Sequence, residues 1–129
     1  MKGKIVTALA LVACAVQAQA AEYSTVDLCK AAIAVEMGRD AKSMKTETAG
    51  ETPEIFYNRK DDGKKFSYRC KVQDNRIVWR TYFPEEREWG RWRDGEYDAT
   101  VTYTVKGGTL HIESDQAYPK SFTKADFGG

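Results

Sequence analysis

The chain has 129 residues, of which 42% are hydrophobic and 30% are charged, and its formal net charge is +1. A chain of this length holds one domain rather than two. A charge this close to zero argues against a nucleic-acid-binding protein, which carries a strong basic excess. No stretch of the chain reaches the roughly twenty apolar residues that span a bilayer, so the mature protein is not expected to be transmembrane.

The N-terminus has the three parts of a secretory signal peptide. Met1–Lys4 is basic, residues 5–16 carry no charge, and Ala18-Gln19-Ala20 has the small residues that precede a cleavage site. We therefore predict a signal peptide at residues 1–20 and a single mature domain at residues 21–129. Export to a bacterial periplasm is the expected destination, with an extracellular location as the alternative.

Cys14 introduces a second possibility for the mature protein. The segment Leu11-Val12-Ala13-Cys14 has the local form of a lipobox, in which the cysteine would become lipidated. The protein would then be an outer-membrane lipoprotein. The short leader before Cys14 and the cleavage site that follows it favour the soluble form.

The first predicted element of the mature chain is a helix. Ser24 followed three residues later by Asp27 forms a capping box, and Gly38 is suited to end the helix, so we predict a helix from Thr25 to about Met37. Apolar residues recur on one face of it, at Cys29, Ile33 and Met37.

The chain after Lys42 predicts strands joined by turns. The strand segments are residues 44–48, 55–59, 66–72, 76–83, 100–106 and 109–113, with a short strand or bulge at residues 89–93. The clearest alternation places four apolar residues on one face, namely Phe66, Tyr68, Cys70 and Val72. In the tail after Ala117, we expect Phe122 and Phe127 to hold a last edge strand or helical turn.

Two cysteines remain after signal cleavage, Cys29 and Cys70. In an exported domain they are expected to form a disulfide, and the alternative is two separate buried thiols. Cys29 lies on the apolar face of the helix and Cys70 on the apolar face of the best strand. The predicted fold is therefore α+β, with one N-terminal helix packed on an antiparallel sheet of about five to seven strands and tied to it by this disulfide.

Few residues suggest catalysis. His111 is the only histidine, so a histidine-rich metal site is not expected, and no cofactor-binding motif is present. The alternation of its strand places His111 on the polar face with Thr109 and Glu113. An alternative hypothesis is a small ribonuclease-like hydrolase, in which His111 acts with a carboxylate such as Glu113 and an arginine.

Tryptophan and arginine cluster in the middle of the chain. Both are enriched at binding hot spots, and the proposed contact residues are Arg80, Trp89, Arg91, Trp92 and Arg93. Trp79 is predicted to face the core, together with one of Trp89 and Trp92. Residues 55–93 carry an excess of basic side chains between two acidic flanks. This segment is either an anion-binding face or is neutralised across the fold.

These features together predict a small exported protein that binds rather than catalyses, of an inhibitor type or similar. The expected partner is a protein or an anionic component of the cell envelope. The hydrolase centred on His111 is one alternative. The other is a structural or stress-related envelope protein without a dedicated ligand.

Overall fold

A computed structural model describes residues 23–128, in which one α-helix packs on an antiparallel, curled sheet. The predicted signal peptide and Cys14 lie outside the described residues. The helix α1 is Thr25–Met37, and the strands are β1 Lys45–Thr48, β2 Glu54–Asn58, β3 Lys65–Gln73, β4 Arg76–Phe83, β5 Glu88–Trp89, β6 Val101–Lys106, β7 Thr109–Ser114 and β8 Lys120–Phe122. Two short 3₁₀ helices, Ala41–Ser43 and Lys124–Phe127, complete the described elements.

Helix α1 begins and ends where the sequence predicts. The Ser24 hydroxyl accepts a hydrogen bond from the Asp27 backbone N–H at 3.1 Å, and the Asp27 carboxylate accepts one from the Ser24 N–H at 3.2 Å. Gly38 ends the helix with a φ of 62°. Met37 does not join the buried face as expected, and 36% of it is exposed. Met37 lines an open cavity at the end of the helix instead.

Seven strands follow one path through the sheet, in the order β1-β2-β3-β4-β6-β7-β8, and β5 pairs with β4 beside that path. Every pairing is antiparallel. We call the face that packs against α1 the inner face and the opposite one the outer face. The inner face supplies most of the buried core, through Ile55, Tyr57, Tyr68, Cys70, Ile77, Trp79, Val101, Leu110, Ile112 and Phe122.

The predicted disulfide is confirmed. Cys29 of α1 and Cys70 of β3 are bonded across 5.6 Å between their Cα atoms, and both residues are fully buried. The bond fastens the helix to the centre of the inner face. Because it closes a loop of 41 residues in sequence, it restricts the unfolded chain considerably.

The C-terminal tail is held by its two phenylalanines, as expected. Phe122 is 2% exposed within β8, and the ring of Phe127 lies 5.7 Å from it and 6.0 Å from the ring of Tyr23. The tail thereby contacts Tyr23, the residue before the N-cap Ser24. No helix among residues 23–128 is long and apolar enough to cross a bilayer.

Candidate functional site

The outer face of β3 and β4 carries basic side chains at the centre of the sheet. The register places Arg69 opposite Arg80, and Lys71 opposite Val78. Their sequence neighbours Cys70 and Trp79 are buried against α1. Since successive side chains of a strand point to opposite faces, the basic residues point away from the helix.

Strand β5 and the chain that follows it run alongside β4 and bring Trp89 and Trp92 to this face. Trp89 pairs with Tyr82 in the β4–β5 register, which places the two side chains on the same face. The backbone N–H of Arg93 then donates to the carbonyl of Trp79 at 2.8 Å, so the following residues stay close to β4. Trp89 and Trp92 are both half-buried, and neither belongs to the main core among the described residues.

The prediction that one of Trp89 and Trp92 packs in the core is therefore wrong, whereas the prediction for Trp79 is confirmed. Trp79 is 4% exposed on the inner face. The pairing of β5 explains the difference. Trp89 lies opposite Tyr82 and therefore points to the outer face, whereas Trp79 points to the inner face. We call the resulting outer-face group the aromatic–basic strip; its members are Arg69, Lys71, Arg80, Tyr82, Trp89 and Trp92.

Cations stack on both rings of the strip. The Arg69 guanidinium lies 4.2 Å from the centre of the Trp89 ring, and the Lys71 ammonium lies 4.4 Å from that of Trp92. The Arg80 guanidinium is 5.2 Å from the Trp92 ring as well. Each such contact contributes about 0.5–1 kcal/mol at an exposed site. These stacks fix the orientation of the rings on the sheet surface.

The charges of the strip are only partly neutralised. Arg69 forms an ion pair with Glu54 at 3.2 Å. By contrast, neither Lys71 nor Arg80 has a carboxylate within ion-pairing distance in the described part of the chain. The Arg80 Nε donates instead to the carbonyl of Gly90 at 2.8 Å. Positive charge therefore remains at the centre of the outer face.

Arg76 is a third cation of this region that lacks a carboxylate partner in the described chain. It lies at the start of β4, on the same face as Arg80 by alternation. Its Nε and one terminal nitrogen are buried without a hydrogen-bond partner in residues 23–128, and no ion pair is formed there. Val78, between Arg76 and Arg80, is fully buried although it is not part of the main core. The three cations therefore surround an apolar centre.

The other two predicted contact residues have a different role. Arg91 donates two hydrogen bonds to the Asp98 carboxylate, at 2.7 and 3.0 Å, and a nitrogen of Arg93 lies 3.9 Å from the same carboxylate. The bonds from Arg91, followed by one from the Gly95 backbone N–H, lower the pKa of Asp98 to about 2. Arg91 and Arg93 thus have an internal counter-charge and hold the loop that follows Trp92.

The predicted set of contact residues is only partly brought together by the fold. Arg80, Trp89 and Trp92 meet on the outer face, whereas Arg69, Lys71 and Arg76 were not included in the prediction. Alternation in residues 66–72 had already placed Arg69 and Lys71 on a polar face. Their partnership with rings about twenty positions further along the chain has no local signal.

A small cavity lies at one end of the strip. Its volume is about 270 Å³, and it is lined by Glu54, Lys65, Ser67, Arg69, Tyr82, Pro84 and Trp89. Ser67 is 8% exposed and is the one buried polar residue among those described. The cavity and the strip share Arg69, Tyr82 and Trp89, so they form one continuous surface.

His111 lies on the outer face of β7, away from the strip. Its Nδ1 is 2.7 Å from the Ser121 hydroxyl, and it lines a separate cavity of about 430 Å³. Glu113 lines the same cavity, but no carboxylate of the described chain hydrogen-bonds the imidazole, and no arginine lines this cavity. The arrangement of histidine, carboxylate and arginine in the hydrolase hypothesis is not assembled here.

No group of three or more potential metal ligands occurs within residues 23–128. Comparison with known proteins finds no protein family, curated protein or solved structure that matches the chain.

Proposed function

We propose that the protein is an exported binding protein whose outer sheet face binds an anionic polymer of the cell envelope. The observation that carries the proposal is the group Lys71, Arg76 and Arg80. These three cations lie on neighbouring positions of β3 and β4 and have no carboxylate partner in the described chain.

The arrangement is costly unless an anion is bound. The register places Arg80 directly opposite Arg69, and like charges directly opposite each other destabilise a sheet. The buried guanidinium nitrogens of Arg76 lose hydration without gaining a partner in the described chain. The Cys29–Cys70 bond and the inner core stabilise the fold on the opposite face. An anionic ligand would supply the missing counter-charge and the missing acceptors.

The aromatic rings of the strip favour the hypothesis of a binding protein over the alternative of a structural protein without a dedicated ligand. Trp92 is held between Lys71 and Arg80, and Trp89 is held by Arg69 and Tyr82. Such ordered aromatic side chains supply contact area at low entropic cost, which is typical of binding surfaces. The predicted signal peptide supports a location in the envelope.

The proposal is tested by titrating the mature protein with long-chain polyphosphate and with polygalacturonate at low ionic strength. A K71A/R80A variant removes two cations of the strip. We expect its dissociation constants to rise at least about tenfold, because a hydrogen bond to a charged group contributes about 1.5 kcal/mol or more. Isothermal titration calorimetry gives the constants, and circular dichroism checks that the variant is folded.

The matched control is K42A/K60A, which removes the same charge from two exposed residues that form no ion pair in the described chain. Its affinity is expected to stay within about twofold of the wild type, since exposed charges far from the ligand are screened. Equal losses in both variants, or no binding of either polyanion by the wild type, would refute the proposal.

A further inference from the structure

We infer that the cavity at the end of the aromatic–basic strip binds one sugar ring, so that the anionic polymer is a polysaccharide containing uronic acid. The inference rests on the proposed function, whose ligand class it makes specific. It is argued from the cavity itself, which lies beside Lys71 and Arg80 without including either.

Ser67 places a hydroxyl group in the wall of the cavity. The residue is 8% exposed, its hydroxyl remains open to the cavity, and no hydrogen bond of that hydroxyl is found among residues 23–128. Buried polar groups are normally paired, by protein, water or ligand. A ligand hydroxyl in the cavity would provide the partner.

The walls of the cavity combine apolar and polar surfaces. Trp89 and Tyr82 contact each other edge-to-face at 5.3 Å, and Pro84 lies beside them. The lining also includes the carboxylate of Glu54 and the cations Lys65 and Arg69, and the Arg69 guanidinium lies 4.2 Å from the centre of the Trp89 ring. A pyranose ring matches this mixture of surfaces, because its C–H faces are apolar and its edge carries hydroxyl groups that both donate and accept hydrogen bonds.

The volume of the cavity and the charge of its lining narrow the choice of ligand further. A volume of about 270 Å³ lies just below the range of about 300–1,000 Å³ for pockets that hold drug-sized ligands, which suits one ring rather than a larger ligand. A bare phosphate in the cavity would face the Glu54 carboxylate, whereas a sugar hydroxyl would donate to it. The carboxylates of neighbouring uronate residues would then extend along the strip towards Lys71 and Arg80.

The experiment uses the three tryptophans as separate reporters. Indole N–H signals in a ¹⁵N–¹H NMR spectrum distinguish Trp89 in the cavity, Trp92 in the strip and Trp79 in the core. The probes are tetrasaccharides of galacturonate, glucuronate, mannuronate and guluronate, with polyphosphate as a polyanion that has no sugar ring. We expect at least one tetrasaccharide to shift Trp89 and Trp92, and polyphosphate to shift Trp92 alone.

Substitution S67A removes the hydroxyl from the cavity and leaves the cations in place. Its affinity for the preferred tetrasaccharide is expected to fall by about two- to tenfold, the range for one lost hydrogen bond. Its affinity for polyphosphate should not change. An unshifted Trp79 signal in the free variant confirms that the core is intact.

The outcomes separate the two proposals. If every tetrasaccharide shifts Trp92 alone, or if S67A binds them all as the wild type does, the sugar cavity is refuted while the strip remains supported. If polyphosphate shifts Trp89 and weakens in S67A, the cavity is a general anion site and the inference is also refuted. If no polyanion shifts Trp92, the proposed function itself fails.

Discussion

The two faces of the central strands differ sharply although they share one backbone. On the inner face, Cys70 and Trp79 lie opposite each other and are buried against the helix. On the outer face, the next pair along the same strands is Arg69 and Arg80, whose cations stack on half-buried rings. The buried core and the proposed binding surface are therefore separated by a single residue step along each strand.

The two faces of the sheet differ because different parts of the chain cover them. The inner face is covered by a whole helix and is covalently tied to it. Within residues 23–128, the outer face of β3 and β4 is covered by the chain that returns beside β4, whose tryptophan rings stack on cations. Burying apolar side chains stabilises a fold more than exposed cation–π contacts do. Changes on the inner face should therefore affect folding, and changes on the outer face should affect binding.

The sharpest test of this comparison replaces one tryptophan on each face. W79A should lower the free energy of unfolding by about 3–5 kcal/mol, because it leaves a cavity in the core. W92A should lower it by about 1–2 kcal/mol, because it removes two cation–π contacts. Urea denaturation followed by circular dichroism measures both. Equal losses would contradict the assignment of the two faces.

The disulfide gives the next largest expected effect. A C29A/C70A variant should lose about 4 kcal/mol of stability, the value of the chain-entropy model for a loop of this size. The loss should be the same in wild type treated with reductant, as measured by urea denaturation. A variant as stable as the oxidised wild type would show that the crosslink does not stabilise the inner layer.

The smallest effect on stability is expected for substitutions in the loop beside the strip, and this effect depends on pH. Because the folded protein holds the pKa of Asp98 at about 2, below its ordinary value of 3.8, ionised Asp98 favours the folded state. That contribution is fully present above pH 3.8 and is lost as the pH falls towards 2. D98N should therefore be less stable than the wild type near pH 5, and the difference should shrink towards pH 2.

Acid titrations of stability, read by circular dichroism, measure that difference. D94N is the matched control, since Asp94 is an exposed carboxylate of the same loop and forms no ion pair in the part of the chain described. If D94N reproduced the pH dependence of D98N, the hydrogen bonds from Arg91 and Gly95 would not be its cause.

Much of the fold could be predicted from local patterns. The capping box and Gly38 defined both ends of the helix, and the alternation around Cys70 identified the face that meets it. Short elements were predicted less accurately: the strand or bulge expected at residues 89–93 is the two-residue strand Glu88–Trp89, and the edge strand or helical turn expected after Ala117 includes the three-residue strand β8. The bounds of these strands depend on pairing with β4 and β7, which no local pattern encodes.

Prediction of the candidate site was less complete, for a similar reason. Composition indicated that Trp89, Trp92 and Arg80 were suited to binding. Nothing in their spacing indicated that Lys71 would lie over the ring of Trp92, or that Arg91 would form an ion pair with Asp98. These contacts join residues on different segments, and they depend on the path of the loop between β5 and β6.

The sequence by itself determined the helix, the main strands, the pairing of Cys29 with Cys70 and the side of each strand that faces the core. These follow from residue periodicity and from the presence of two cysteines after the predicted signal peptide. Only the tertiary structure decided which outer-face side chains meet, and it alone created the cavity that Ser67 lines. Periodicity assigns a side chain to a face, whereas its neighbours on that face are set by strand register and by loops that cross between strands.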